Sequence, residues 1–426
     1  MLTLKETQPK SLRQNLGLWS ATAINIGAII GGGIFVVTGI VAGLAGSALV
    51  ISMIIAASIA FLTALSFTRL TLWQPIEGSG YEYVRQLISP SAGFLSGWMW
   101  IIANTFGGAA VSLGFAYIIA EAIPAVPVKI IAAAMCIAFS TLNFIGIRQS
   151  ALLNNALVAI KIIILGFFVV LGVTHVTSSN LAPFEPFSSG VLFGAYFIFF
   201  AFGGFARATI IAEEVKDPKR NVPRAVLLSL AISTLVYVLV GAVAVGLVGP
   251  SNLAASYSPL VFAVGATGSS AAVKIVSIGG MVATASVLLT SILGVSRMAF
   301  SMARRGDLPQ ALSRVNQKFG TPHVSIWVIG LVMTFLVLFF DLTGILVVST
   351  FALLFWYILV NAAAFKLEQK NRERGKLLPI LGMGTCFALL VGVIFVEPVA
   401  WTAGVTCLLI GAILYMLRMI SRTPQR

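Results

Sequence analysis

Apolar runs of about twenty residues recur along the whole chain, separated by short polar or Pro/Gly-rich stretches. Twelve stand out: 16–44, 47–68, 92–119, 128–146, 151–174, 189–213, 224–248, 272–303, 323–341, 344–365, 377–396 and 399–418. About twenty residues of helix cross the hydrocarbon of a bilayer. The runs are continuously apolar rather than alternating, which predicts α-helices and argues against a β-barrel. The segment 77–90 is short and amphipathic and leads into the third run. No linker is long enough to set a soluble domain apart. Residues 1–426 are therefore expected to form one all-α, polytopic membrane domain.

Composition supports this reading. Hydrophobic residues make up 59% of the chain and charged residues only 9%, against about a quarter charged in a soluble domain. Most of the surface must then meet lipid. The formal net charge of +14 does not point to nucleic acid, because the basic residues gather in alternate loops. They cluster at 216–224, at Arg304, Arg305, Arg314 and Lys318, and at Lys366, Lys370, Arg372, Arg374 and Lys376; the intervening loops carry little beyond Lys129 and Lys274. Such asymmetry is the positive-inside pattern. It predicts a multi-pass protein of the cell (plasma or inner) membrane with both termini cytoplasmic. Cys136, Cys386 and Cys407 fall within apolar runs without paired spacing and read as small hydrophobes. The polar start leads directly into a full-length span, so no cleavable signal is expected.

Two runs contain glycine clusters near mid-span. The first run carries GAIIGGG at 27–33, and the sixth carries FGGF at 202–205. Glycine weakens a helix and lets its backbone unwind. The clusters lie five runs apart, and interrupted segments at matching positions of two halves point to an inverted-repeat transporter and its binding site. Close helix packing through small residues would give either cluster alone.

Several further motifs, in order and at consistent spacing, accompany these clusters: IGAIIGGGIF at 26–35, PIEGSGYEY at 75–83, PSAGFLSGW at 90–98, AEEVKDPKRNVPR at 212–224, SRMAFSMARRGDLP at 296–309 and FGTP at 319–322. Together they resemble the amino acid–polyamine–organocation transporter superfamily, over about 16–365. Runs eleven and twelve match by hydropathy only. The resemblance implies twelve transmembrane helices. Five-plus-five inverted repeats would cover about 16–174 and 189–365, with helices 1 and 6 broken, and two further helices would cover about 377–418. It also implies alternating-access transport of a small amino acid, by a monomer or homodimer, with no cofactor other than a coupling ion.

An amino acid presents a carboxylate and an ammonium, and an unwound helix meets both with backbone N–H and C=O groups. By the resemblance, the carboxylate lies on the Gly31–Gly32–Gly33 turn, on the amides of Gly32 and Gly33. The ammonium faces the carbonyls of Ile29, Phe200 and Gly203. Phe199, Phe200 and Phe202 are candidates for an aromatic lid, and core or lipid packing is the alternative for each. Asn104 and Thr105 are the nearest polar candidates for a side-chain pocket, or else bonds between helices. The clear acidic residues (Glu77, Glu82, Glu121, Glu185, Glu213, Glu214, Asp217, Asp307, Asp341, Glu397) all sit at or beyond span ends. A cationic side chain would want a buried carboxylate, so neutral amino acids are the expected substrates.

Two basic residues complete the candidate chemistry. Lys161 lies about ten residues into the fifth run, on the order of 15 Å deep at 1.5 Å per residue, where ionisable groups are expensive and default to function. By the resemblance, its ammonium stands where sodium-coupled members hold a sodium ion, near the carbonyl of Gly27 and the hydroxyl of Ser286. That makes the proton the coupling ion; a lysine held structurally by carbonyls is the alternative. Arg207 follows the sixth-run cluster. It either pairs with Glu82 or Glu214 as a cytoplasmic gate, the preferred reading, or ligates an anionic substrate, which would also suit an exchanger.

Other classes find less support. The two histidines, His175 and His323, lie at run ends and no nucleophile–base or metal-spaced cluster is present, so an enzyme is not expected. A channel would show pore rings rather than two interrupted helices. A sensor built on a transporter fold stays open at this level.

Overall fold

In the computed structural model, the residues described are 16–75, 78–123, 125–146, 151–210, 212–371, 375–395 and 398–422. The readings that fall on Glu77, Arg372, Arg374 and Glu397, and on the side chain of Glu213, lie outside them. The described chain is all helical apart from an isolated parallel bridge between Leu16 and Val215. In order the helices are α1 (Leu18–Ile29), α2 (Thr38–Ala45), α3 (Leu49–Trp73), α4 (Ser79–Leu87), α5 (Pro90–Ala122), α6 (Val128–Ile145) and α7 (Ala151–Val173). There follow α8 (Ser189–Phe202), α9 (Arg207–Ile210), α10 (Pro218–Val248), α11 (Pro250–Ala255), α12 (Pro259–Gly265) and α13 (Ser270–Arg304). The last four are α14 (His323–Phe339), α15 (Leu342–Asn371), α16 (Leu377–Gly392) and α17 (Pro398–Arg422).

Eight helical stretches among the described residues are long and apolar enough to cross a membrane, and α8, α14 and α16 are shorter apolar helices. This is the architecture of a multi-pass membrane protein. The deepest helices are α5 and α15, which pack on each other; α13 lies against α5, and α3 carries both α8 and α10. α17 packs on α5 and α15 but keeps most of its apolar side chains on the outside, as a lipid-facing helix does.

Boundaries read from hydropathy differ from the structure where a proline or glycine acts locally. The seventh run begins at Pro218 rather than 224, because proline suits the first helical position and Pro223 sits only one turn inside. The sixth run is not one helix to 213: α8 stops at Phe202 and the chain turns through 203–206 before α9. Hydropathy gave no element between the seventh and eighth runs, yet α11 and α12 stand there, each opened by a proline. They close one face of the bundle: Tyr257 stacks on Tyr117 with ring centroids 4.5 Å apart, and α11 packs on α2.

The opposite face is closed by α4. Its Glu82 pairs with Arg305 at 2.8 Å, and Tyr81 and Arg85 both donate to Asp307 at 2.5 and 3.0 Å. Arg418 at the end of α17 also pairs with Asp307. Two of the sequence motifs, at 75–83 and 296–309, are thus in contact. Burial raises the Glu82 carboxyl above its usual range, and Arg305 opposes this only in part. Burial and the bond to Asp307 likewise raise the Tyr81 phenol.

Candidate functional site

The first run breaks after Ile29: Ile30 is extended, and regular geometry resumes as a single π turn at Gly33–Val37 before α2. The second break separates α8 from α9. The two breaks touch through backbone. A Cβ added to Gly204 would lie 2.5 Å from the carbonyl oxygen of Ala28 and from the amide of Ile29, and one added to Gly33 would lie 2.8 Å from Cα of Ala201. Only glycine fits at either crossing.

Unwinding frees backbone groups, and the described residues show where several of them go. The helical partner for the Ala201 carbonyl would be the Phe205 amide, but that amide turns to Phe202 O at 3.4 Å. Tyr237 on α10 supplies the replacement, its hydroxyl reaching Ala201 O at 3.2 Å and Ile29 O at 2.7 Å, so one phenol joins both breaks. Tyr357 on α15 donates to Gly203 O at 3.2 Å, and the Asn25 side chain on α1 accepts from the Ala208 amide at 2.7 Å. None of these three side chains is marked by its local sequence, since a lone Tyr or Asn in an apolar run has no spacing signature.

Between the breaks lies a cavity of about 50 Å³, room for a few water molecules. Its lining includes Ile29, Gly31, Gly32, Gly33, Asn104, Phe200 and Gly203, all named from the sequence, and Arg207. Phe199 and Phe202 are corrections. Successive helical positions point about 100° apart, so only Phe200 of the three rings faces the cavity. Phe199 packs edge-on to Tyr357 and Phe202 edge-on to Tyr237, both fully buried. Thr105 is buried outside the lining. The carbonyls of Ile29 and Gly203 already accept from tyrosines and that of Phe200 from the Gly203 amide, so an ammonium there would use their second lone pairs. Ser291 on α13 and Ser349 on α15 also line the cavity; sequence gave no reason to prefer them over other serines.

The expected gate between Arg207 and Glu82 is not formed. Glu82 lies on α4 with Arg305, whereas Arg207 turns inward: Nη2 donates to Asn104 Oδ1 at 2.8 Å and the guanidinium lies 5.5 Å over the Trp100 ring. Position one turn past a break places a residue by the site, and the sequence could not show which way its long side chain points. Lys161 on α7 is 1% exposed. Its ammonium donates to Gly27 O at 3.2 Å, Ile30 O at 3.1 Å and Ser286 Oγ at 2.6 Å. It therefore ties the first break to α13, with Ile30 added to the contacts inferred from sequence.

Comparison with known proteins bears on what this site serves. The family model described as amino acid permease matches residues 16–421. The chain belongs to the amino acid permease family. An uncharacterized transporter of Mycobacterium tuberculosis is 33% identical over 417 residues, covering 97% of this permease and 93% of the relative. The branched-chain amino acid permease of Bacillus subtilis is 29% identical over 437 residues, covering 96% and 93%. Cationic amino acid transporter 1 of Arabidopsis thaliana is 28% identical over 405 residues, covering 89% of this permease and 68% of the relative. Relatives whose names point to such different side chains leave substrate class to the residues of the cavity.

Proposed function

We propose that this permease is a secondary active transporter that moves an amino acid by alternating access, driven by protons and independent of sodium. The reading further takes the chain as twelve crossings in the cell membrane, with two inverted repeats of five helices and both termini cytoplasmic. The observation that carries it is the cavity between two broken helices, lined by backbone of Gly32 and Gly33 on one side and of Phe200 and Gly203 on the other. Such a site recognises the amino and carboxyl groups common to all amino acids without charged side chains. Lys161 supports the ion assignment: its ammonium fills the space beside the first break and donates to three neutral oxygens. A proton leaving it would loosen α1 from α7 and α13, so substrate release and proton release bias one rearrangement.

Among the described residues the lining holds no carboxylate, which speaks against cationic substrates. The preference for neutral over anionic side chains rested on a gate role for Arg207, and is taken up below. The test of the general reading is uptake of labelled amino acids by the purified protein in liposomes, beside the Gly32→Leu variant. A Cβ at Gly32 already meets Val111 Cγ2 at 2.9 Å, so leucine fills the site. Saturable uptake by the wild type, lost in a variant that still purifies as a folded protein, supports the reading; equal uptake by both places the site elsewhere.

A further inference from the structure

Arg207 is the only charged side chain in the cavity lining, among the described residues. Its guanidinium is held rather than loose. Asn104 accepts from Nη2, the Trp100 ring lies beneath, and Gly294 leaves room for Nη1, which a Cβ there would meet at 2.6 Å. Neither contact supplies negative charge. The described carboxylates nearest to membrane depth are engaged elsewhere: Glu82 with Arg305, Asp307 with Arg85 and Arg418, Glu368 with Arg69. Lys161 places a second basic side chain by the first break, again on neutral oxygens.

Buried charges are ordinarily paired, and a planar guanidinium fixed at two points is a fork that takes a carboxylate through parallel hydrogen bonds. A zwitterion brings no net charge to such a site. An amino acid with an acidic side chain brings one negative charge, and its second carboxylate matches the fork. We propose that the substrate is an acidic amino acid whose side-chain carboxylate is bound by Arg207, with its α-carboxylate on the Gly32 and Gly33 amides. This rests on the amino acid transport reading above. The same guanidinium repels a cationic side chain, so selection acts in both directions.

The experiment is competition for uptake in sodium-free proteoliposomes under an inward proton gradient, with glutamate and aspartate set against glutamine, asparagine, leucine and lysine. Carboxamides share the shape of the acids without the charge. The wild type should prefer each acid to its amide by about 10- to 100-fold, the span of one charge-assisted pair. Arg207→Gln should erase that preference. Arg207→Lys, which keeps the charge and loses the fork, should retain it in weakened form. Gly294→Ala, which crowds Nη1 from behind, should also weaken it, and serves as a readout should Arg207→Gln fail to fold. Leucine or glutamine uptake that exceeds glutamate uptake, or neutral uptake that requires chloride beside Arg207, overturns the proposal and leaves amino acid transport standing. No amino acid transported by the wild type overturns both.

Discussion

Tyr237→Phe removes one oxygen from the junction of the two breaks and nothing else. The ring is fully buried, edge-on to Phe202 at 5.1 Å between centroids, and phenylalanine keeps that packing. What is lost is a single proton shared between Ile29 O at 2.7 Å and Ala201 O at 3.2 Å. Both carbonyls stand in the last turn of their helices, where α1 and α8 stop at the breaks, and lie in the protein interior. Leaving a buried acceptor unpaired costs about 1–3 kcal/mol, and the two share one donor, so that range covers the pair. If the tied junction is the binding arrangement, its population falls by about 5- to 150-fold relative to open alternatives, and apparent affinity falls with it. The assay is equilibrium binding of the transported amino acid to detergent-purified wild type and variant, with a melting curve on each. The expected result is weaker binding within that range and a lower melting temperature that substrate only partly restores. Affinity within twofold of wild type, with the same melting temperature, would show that the tyrosine does not hold the breaks together.

Three other outcomes are expected. Gly204→Ala places a Cβ against backbone of Ala28 and Ile29, a clash no rotamer relieves; it should destabilise the protein by about 1–3 kcal/mol or more, and a melting temperature equal to wild type would contradict the contact between breaks. Lys161→Ala should keep part of its substrate binding while losing accumulation driven by a pH gradient; accumulation equal to wild type would reduce Lys161 to a structural tie. The folded protein favours the neutral form of Glu82, since burial outweighs Arg305; stability should rise as pH falls through that raised pKa and level off below the value for the unfolded chain. Glu82→Gln should flatten this stretch of the pH–melting curve, and a slope equal to wild type would place the titration on another group.

The positions of the helices were legible because a bilayer demands long apolar runs, and the two breaks because glycine clusters have few other uses at mid-span. Lys161 was legible for a similar reason: a basic residue ten positions into an apolar run has few ways to be satisfied. What the sequence withheld depends on direction. Three neighbouring phenylalanines look equivalent in a string, and only helical phase turns Phe200 inward and Phe199 and Phe202 into the core. Arg207 was equally ambiguous, since its long side chain reaches either the cavity or the cytoplasmic face, and the contact with Asn104 decides it. Tyr237 and Asn25 escaped notice because they serve backbone groups that are free only once both breaks are formed. The short helices α11 and α12 lack the length that makes hydropathy informative.

The central claim is that a proton gradient alone drives amino acid accumulation through this site. The most direct measurement loads proteoliposomes with sodium-free buffer, imposes an inward proton gradient and follows labelled amino acid with and without a protonophore. The account predicts accumulation above the external concentration that collapses when the protonophore is added and is absent in Lys161→Ala. Accumulation that requires sodium, or that persists unchanged with the protonophore, would contradict it.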